Sequence, residues 1–168
     1  LQHLDLERVQ SPKMISQQLD EMVEKELLTR EEKEVVNIDT IMDFYRSDIG
    51  RRILNAPKVY REVSFNYRKD ASEVIESLDI KGEELLVQGV IDCYFEEDDG
   101  WVLVDYKTDY VWGMNGAFEY PGKREITYSE EMPPAVKSIV DRYRLQIDLY
   151  AEALEKITAK PVVEKILY

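Results

Sequence analysis

Cysteine, histidine and positive charge are all scarce in this chain, and each scarcity excludes something. A lone cysteine, Cys93, rules out a disulfide within the chain and any iron–sulfur or other cluster held by its own cysteines. Histidine too occurs once, as His3. No apolar run approaches the roughly 18 residues of a membrane-spanning helix, and no signal peptide is present, so the expected setting is cytoplasmic, with no membrane partner. There is no GxxxxGK[ST] loop, which excludes ATP binding through a P-loop in these residues. Lys and Arg number 22 against 35 Asp and Glu, for a net charge of −13. That balance argues against tight nucleic-acid binding by these residues acting alone, because phosphate contacts favour a basic surface.

What is present suits one folded α/β domain. The 168 residues are 44% hydrophobic and 34% charged, enough for one sizeable core. Composition changes near Pro57. Before it, Ser11-Pro12 reads as an N-cap with proline in the first turn, followed by Met14, Leu19, Met22, Val23 and Leu27 at helical spacing. Thr29-Arg30-Glu31-Glu32 is a capping box, and Ile38 to Arg52 reads as one further helix with an Ile41, Phe44, Tyr45, Ile49, Ile53 packing stripe. After Pro57, strands are expected at 59–68, 84–96 and 101–107. An irregular segment from Tyr110 to Pro134 follows, whose aromatic residues either stack bases of a single strand or pack on the core. Val136 to Lys160 then reads as one long helix with an Ile139, Tyr143, Ile147, Tyr150, Leu154, Ile157 stripe, and residues 161–168 as a last strand. The expected organisation is a single domain over 1–168, a helical segment at 1–57 and a core at 58–168. Its mixed central sheet is flanked by helices from both ends of the chain, and both chain ends read as cut.

The chemistry concentrates between Gln88 and Asp109. Apolar strand-length runs end in Asp92 on one side and begin with Trp101-Val102-Leu103-Val104 on the other, and Asp98-Asp99-Gly100 between them is a hairpin turn signal. Two registers are open. One sets Asp92 opposite Asp105, the other opposite Lys107, and both leave the three side chains on one face. Carboxylates about 5 Å apart repel unless a cation lies between them. Magnesium suits the pair, since it takes oxygen ligands and completes its shell with water and phosphate. An ammonium beside it offsets charge on a phosphate. The simpler reading, a surface Asp105–Lys107 ion pair, leaves unexplained why acids follow buried runs.

At these residues the chain resembles a known family. Gly89-Val90-Ile91-Asp92 and Asp105-Tyr106-Lys107-Thr108 are similar to the GxxD and (D/E)xKT motifs of the PD-(D/E)xK nucleases, in their RecB-like branch. Gln146-Ile147-Asp148-Leu149-Tyr150 resembles that branch's QxxxY motif, and Arg61-Glu62-Val63-Ser64-Phe65 its opening strand. The likeness is closest to the C-terminal nuclease domain of the AddA family of bacterial AddAB (RexAB) helicase–nucleases. It implies a restriction-endonuclease-like core and Mg²⁺, with Mn²⁺ a possible substitute, held by Asp92, Asp105 and the backbone carbonyl of Tyr106. It implies further that Lys107 orients water or stabilises the transition state and that Gln146 and Tyr150 position DNA or the lysine, while Glu62 either acts at a second metal or water shell or, as a strand-edge acid, pairs with a nearby arginine. The implied activity is an exodeoxyribonuclease on single DNA strands delivered by a helicase motor, with an AddB-like partner subunit, in processing double-strand break ends for recombinational repair. The alternative is an inactive nuclease-like module that binds DNA or the partner. The branch carries a metal-binding histidine ahead of its core; here only His3 stands near that place, and its simpler reading is an ordinary histidine. Lys58, Arg61, Arg68, Lys69, Lys123, Arg124, Arg142 and Arg144 either line a basic channel or are scattered surface charges.

Overall fold

A computed structural model of the chain describes residues 2–73, 82–107 and 134–168. These fall into two compact units that divide between Ala56 and Pro57, where the composition changes. Thr108, Lys123, Arg124 and the aromatic segment from Tyr110 to the residue before Pro134 lie outside the described residues.

The first unit is helical: α1 (Pro12–Glu24), α2 (Arg30–Val35), α3 (Ile38–Arg46) and α4 (Asp48–Asn55). Local chemistry sets its helix starts. Ser11 accepts the Met14 amide ahead of Pro12 at the first turn, and Thr29 and Glu32 form the reciprocal capping box. From α1, the buried Gln18 amide reaches back to the segment before it, accepting from Asp5 N at 2.6 Å and donating to Arg8 O at 2.8 Å. A buried amide satisfied on both its ends replaces the water it lost and pins that segment.

The helix expected from Ile38 to Arg52 is in fact two. Ser47 stands in extended conformation as C-cap of α3 and N-cap of α4. Its hydroxyl donates to Phe44 O at 2.6 Å and accepts from Gly50 N at 3.1 Å. One side chain thereby satisfies groups on both helices, a local alternative to helix continuation that serine offers and the apolar stripe conceals. Phe44, Tyr45, Ile49 and Ile53 of the expected stripe are buried, whereas Ile41 is only half-buried and Met42 takes the inward place beside it. The close turn requires glycine at position 50, because a Cβ there would lie 2.1 Å from the Phe44 carbonyl oxygen.

The second unit is a four-stranded sheet in the order β1 (Val59–Asp70), β2 (Glu84–Glu97), β3 (Gly100–Asp105), β4 (Val162–Leu167), with α5 (Pro134–Thr158) in the chain between β3 and β4. The first three strands are antiparallel and β4 is parallel to β3, so the sheet is mixed. Phe65, Ile91, Tyr94, Trp101 and Leu103 of the sheet pack with Ile147, Ala151, Ala153 and Leu154 of α5. Burying each large side chain contributes about 1.5–3 kcal/mol, which makes this the main adhesive between helix and sheet. Trp101 Nε1 also donates to Thr158 Oγ1 at 2.9 Å, fixing the end of α5. The stripe expected from sequence fails at Ile157, which is 60% exposed; the inward position in the last turn is Thr158, four residues after Leu154.

The sheet is irregular at Glu62. This residue has φ of +52° inside β1, although Arg61 and Val63 on either side pair regularly with Cys93 and Ile91. Strict alternation from Ile91 would carry Cys93 and Phe95 to the α5 face. Tyr94 arrives there instead, with Tyr60 stacked on it at 4.8 Å. The inward face therefore shifts by one residue at Glu62 and Asp92, which lie across from each other.

A methyl group at position 50 has nowhere to go. Gly50→Ala is expected to destabilise the chain by about 1–3 kcal/mol, as overpacking does, read as a lower urea midpoint with unchanged slope.

Candidate functional site

The β2–β3 turn holds Asp98 and Asp99, with Glu97 opposite Gly100 and Cys93 opposite Val104. Continued by one pair, this register places Asp92 across from Asp105, the first of the two arrangements open from sequence. Asp92 sits at the face shift and is half-buried, and its Oδ2 accepts the Tyr106 amide at 2.8 Å. Asp105 ends β3 two residues after the inward Leu103 and is 1% exposed.

Such burial is costly for a carboxylate. Desolvation pushes the Asp105 carboxyl above its ordinary value of 3.8; Lys107 draws it back, and the neighbouring Asp92 charge adds to the rise. Lys107 Nζ lies 2.5 Å from Asp105 Oδ2, yet it approaches off the direction a hydrogen bond needs, so that buried oxygen has a counter-charge and no directed donor.

α5 supplies the remaining groups. Lys107 Nζ donates to Gln146 Oε1 at 3.2 Å, Gln146 Nε2 donates to Tyr150 Oη at 2.8 Å, and the ammonium stands 4.1 Å from the centre of the Tyr143 ring. Residues 143, 146 and 150 are three and four apart and so share one helical face. The sequence presents Tyr143 only as a stripe residue; its place three residues before Gln146 is the signal that it belongs with the site. Tyr150 in turn packs edge-on against Phe65 at 5.3 Å. Gly89 makes room for both rings, since a Cβ there would lie 3.0 Å from Phe65 and 3.2 Å from Tyr150.

The backbone around the site is held by β4. Lys107 N donates to Tyr168 O at 2.7 Å and Tyr168 N donates to Asp105 O at 3.0 Å, with the Tyr106 and Tyr168 rings edge-on. Glu62 is exposed in β1, across from Asp92. Its left-handed backbone is a strain of about 1–3 kcal/mol for a non-glycine residue, of a kind that concentrates at functional positions. Cys93 is buried, and desolvation raises its thiol to about 11, so it is no nucleophile at neutral pH.

Other candidates fall elsewhere. His3 belongs to the helical unit, where it is exposed and lines a cavity of about 180 Å³ with Asp5, Arg8, Gln18, Glu21 and Lys25. Lys58 and Arg68 pair with Glu96 and Glu84 at 3.0 Å each, and Lys69 pairs with Glu152. These three cations are engaged with acids.

Among the described residues no group of three or more His, Cys, Asp or Glu side chains gathers as a metal cluster. The site instead holds two carboxylates, one with a buried oxygen that faces the Lys107 ammonium without a directed hydrogen bond. An oxygen-only pair fits a hard cation such as Mg²⁺, which takes one or two carboxylates and keeps water, and does not fit a structural zinc site.

No protein-family model matches the chain. Over its whole length it is similar to a segment of the A subunit of bacterial ATP-dependent helicase/nucleases. Identity is 50% over 169 residues with that of Alkaliphilus metalliredigens, 46% over 170 residues with that of Alkaliphilus oremlandii and 40% over 171 residues with that of a Clostridium botulinum strain. In each case all of this chain is covered, and it spans 12% of the relative's length. Identity at this level along the full chain establishes homology to that segment.

The raised Asp105 carboxyl has a stability consequence of definite sign. The folded chain binds this proton more tightly than the unfolded chain, so the penalty is absent below the ordinary carboxylate value and grows as pH rises through the folded value. Asp105→Asn, a mimic of the protonated form, is expected to raise the melting temperature of the metal-free chain at neutral pH. It should match wild type below the ordinary carboxylate range; thermal denaturation in chelator at the two pH values checks this.

Proposed function

We propose that this chain is the nuclease portion of a helicase–nuclease A subunit, and that its second unit is a restriction-endonuclease-like core of the PD-(D/E)xK type. One observation carries the reading: Asp92 and Asp105 meet at the end of a buried strand pair with Lys107 alongside and one carboxylate oxygen left without a directed donor. Evolution does not need a costly buried charge to close a sheet, and a cation-binding role gives it a purpose.

In this reading Asp92, Asp105 and the Tyr106 carbonyl hold Mg²⁺, or Mn²⁺ in its place. When bound, the ion supplies Lewis-acid stabilisation of a phosphodiester and an acidified water. The remaining work belongs to the chain. Asp105 must be ionised, and its buried setting keeps competing water away from it. Lys107 brings a fixed positive charge to where charge builds on a phosphate. Gln146 holds the ammonium, Tyr150 holds Gln146, and both ride on a helix bolted to the sheet, which preserves their orientation.

The substrate is DNA, a single strand delivered by a helicase motor elsewhere in the polypeptide, with an AddB-like partner subunit, and the activity is an exodeoxyribonuclease that processes double-strand break ends in the bacterial cytoplasm. A net charge of −13 accords with this division of labour, since capture of the strand is left to other domains. The same acidity favours a second reading, a module that binds DNA or the partner subunit without cutting.

The test uses the full-length protein with its partner. Asp105→Ala is expected to lower Mg²⁺-dependent cleavage by at least about 10²–10³-fold while unwinding persists, and Lys107→Ala to lose cleavage while calorimetry still detects Mg²⁺. Persistent cleavage by Asp105→Ala defeats the nuclease reading. Unwinding without cleavage in the wild type supports the binding module.

A further inference from the structure

Lys107 is more confined than a lysine waiting for a substrate needs to be. An ammonium has three N–H donors, and three groups crowd this one: Asp105 Oδ2 at 2.5 Å, Gln146 Oε1 at 3.2 Å and the face of the Tyr143 ring at 4.1 Å. The side chain is only 15% exposed. Its positive charge sits against the same carboxylate oxygen that lacks a directed donor, where two acids meet.

We propose that Lys107 is the resident counter-ion of the metal-free site, that Tyr143 is a positioning residue pinning it against Asp105, and that Lys107 gives up Asp105 Oδ2 when a divalent cation binds. This rests on the metal reading above and extends it. A cation held at about 2.0–2.1 Å and an ammonium at 2.5 Å would stand only about 4 Å apart even on separate lone pairs of one oxygen, and two positive charges that close in a buried site repel each other. Release leaves the ammonium attached through Gln146 and the ring, with its charge freed beside the ion. A lysine without those tethers would be free to swing into solvent, and the ring thus sets both the strength of the resting hold and where the freed charge stays. The interaction belongs to the aromatic face, so phenylalanine at position 143 preserves it and leucine does not.

The test uses the full 168-residue chain, with Mg²⁺ as the probe in calorimetry and the lysine ε-CH₂ protons as the probe in NMR, well above the carboxylate range of pH. In the metal-free wild type the Lys107 ε protons are expected to be shifted upfield by the Tyr143 ring; Tyr143→Phe retains the shift and Tyr143→Leu abolishes it. Tyr143→Leu, which keeps every charge, should bind Mg²⁺ about two- to tenfold more tightly, and Tyr143→Phe should bind like wild type. Lys107→Met is the second variant, needed if leucine at 143 unfolds the chain, and it too should bind Mg²⁺ more tightly. Unchanged or weaker binding by Tyr143→Leu or by Lys107→Met, or no upfield shift in the wild type, overturns the proposal. Absence of binding heat in the wild type itself defeats the underlying metal reading, and is distinct from binding heat that the variants fail to increase.

Discussion

A carboxylate shut away at the end of a central strand is the group around which the second unit is arranged. Asp105 has lost almost all contact with water, and its neighbour across the hairpin is another acid. Left alone, such a pair would carry a penalty that few packing contacts could offset. Lys107, two residues along the chain, brings the countercharge, and its position depends in turn on Gln146 and Tyr143 from α5. The sheet and its helix are thus joined by a polar connection as well as by the Ile147, Ala151 and Leu154 packing.

That connection accounts for features far from the acids. Gly89 is tolerated in the middle of β2 because Tyr150 and Phe65 need the space, and Tyr150 is needed there because its hydroxyl receives the Gln146 amide. β4 closes the other side, and the residue after it, Tyr168, holds the backbone at Asp105 and Lys107. The shift of face at Glu62 and Asp92 is the cost of having both Ile91 and Tyr94 reach the α5 core, and it leaves an acid at the point where alternation changes.

Legibility followed distance along the chain. The capping box at Thr29 and Glu32, the Ser11-Pro12 start and a turn within Asp98-Asp99-Gly100 are interactions within four residues, and each lies in the stretch where the sequence signals it. The break between α3 and α4 is hidden from periodicity because Ile49 and Ile53 continue an apolar stripe across it, while Ser47 acts through two backbone bonds that no spacing records. Ile157 misleads for the opposite reason: helical spacing assigns it inward, yet it is exposed and it is the neighbouring Thr158 that meets the sheet, through Trp101.

Alternation, turn residues and motif spacing are local, and they suffice for the strands, the long helix and the candidacy of Asp92, Asp105, Lys107, Gln146 and Tyr150. They leave the hairpin register open between two choices, and although spacing sets Tyr143 on the helical face of Gln146, it does not bring the ring over Lys107. Both were resolved in three dimensions. A cation–ring contact, a buried oxygen without a donor and a one-residue change of strand face arise only when elements distant in sequence are packed against each other, since each is a property of the space between segments and not of any residue in them.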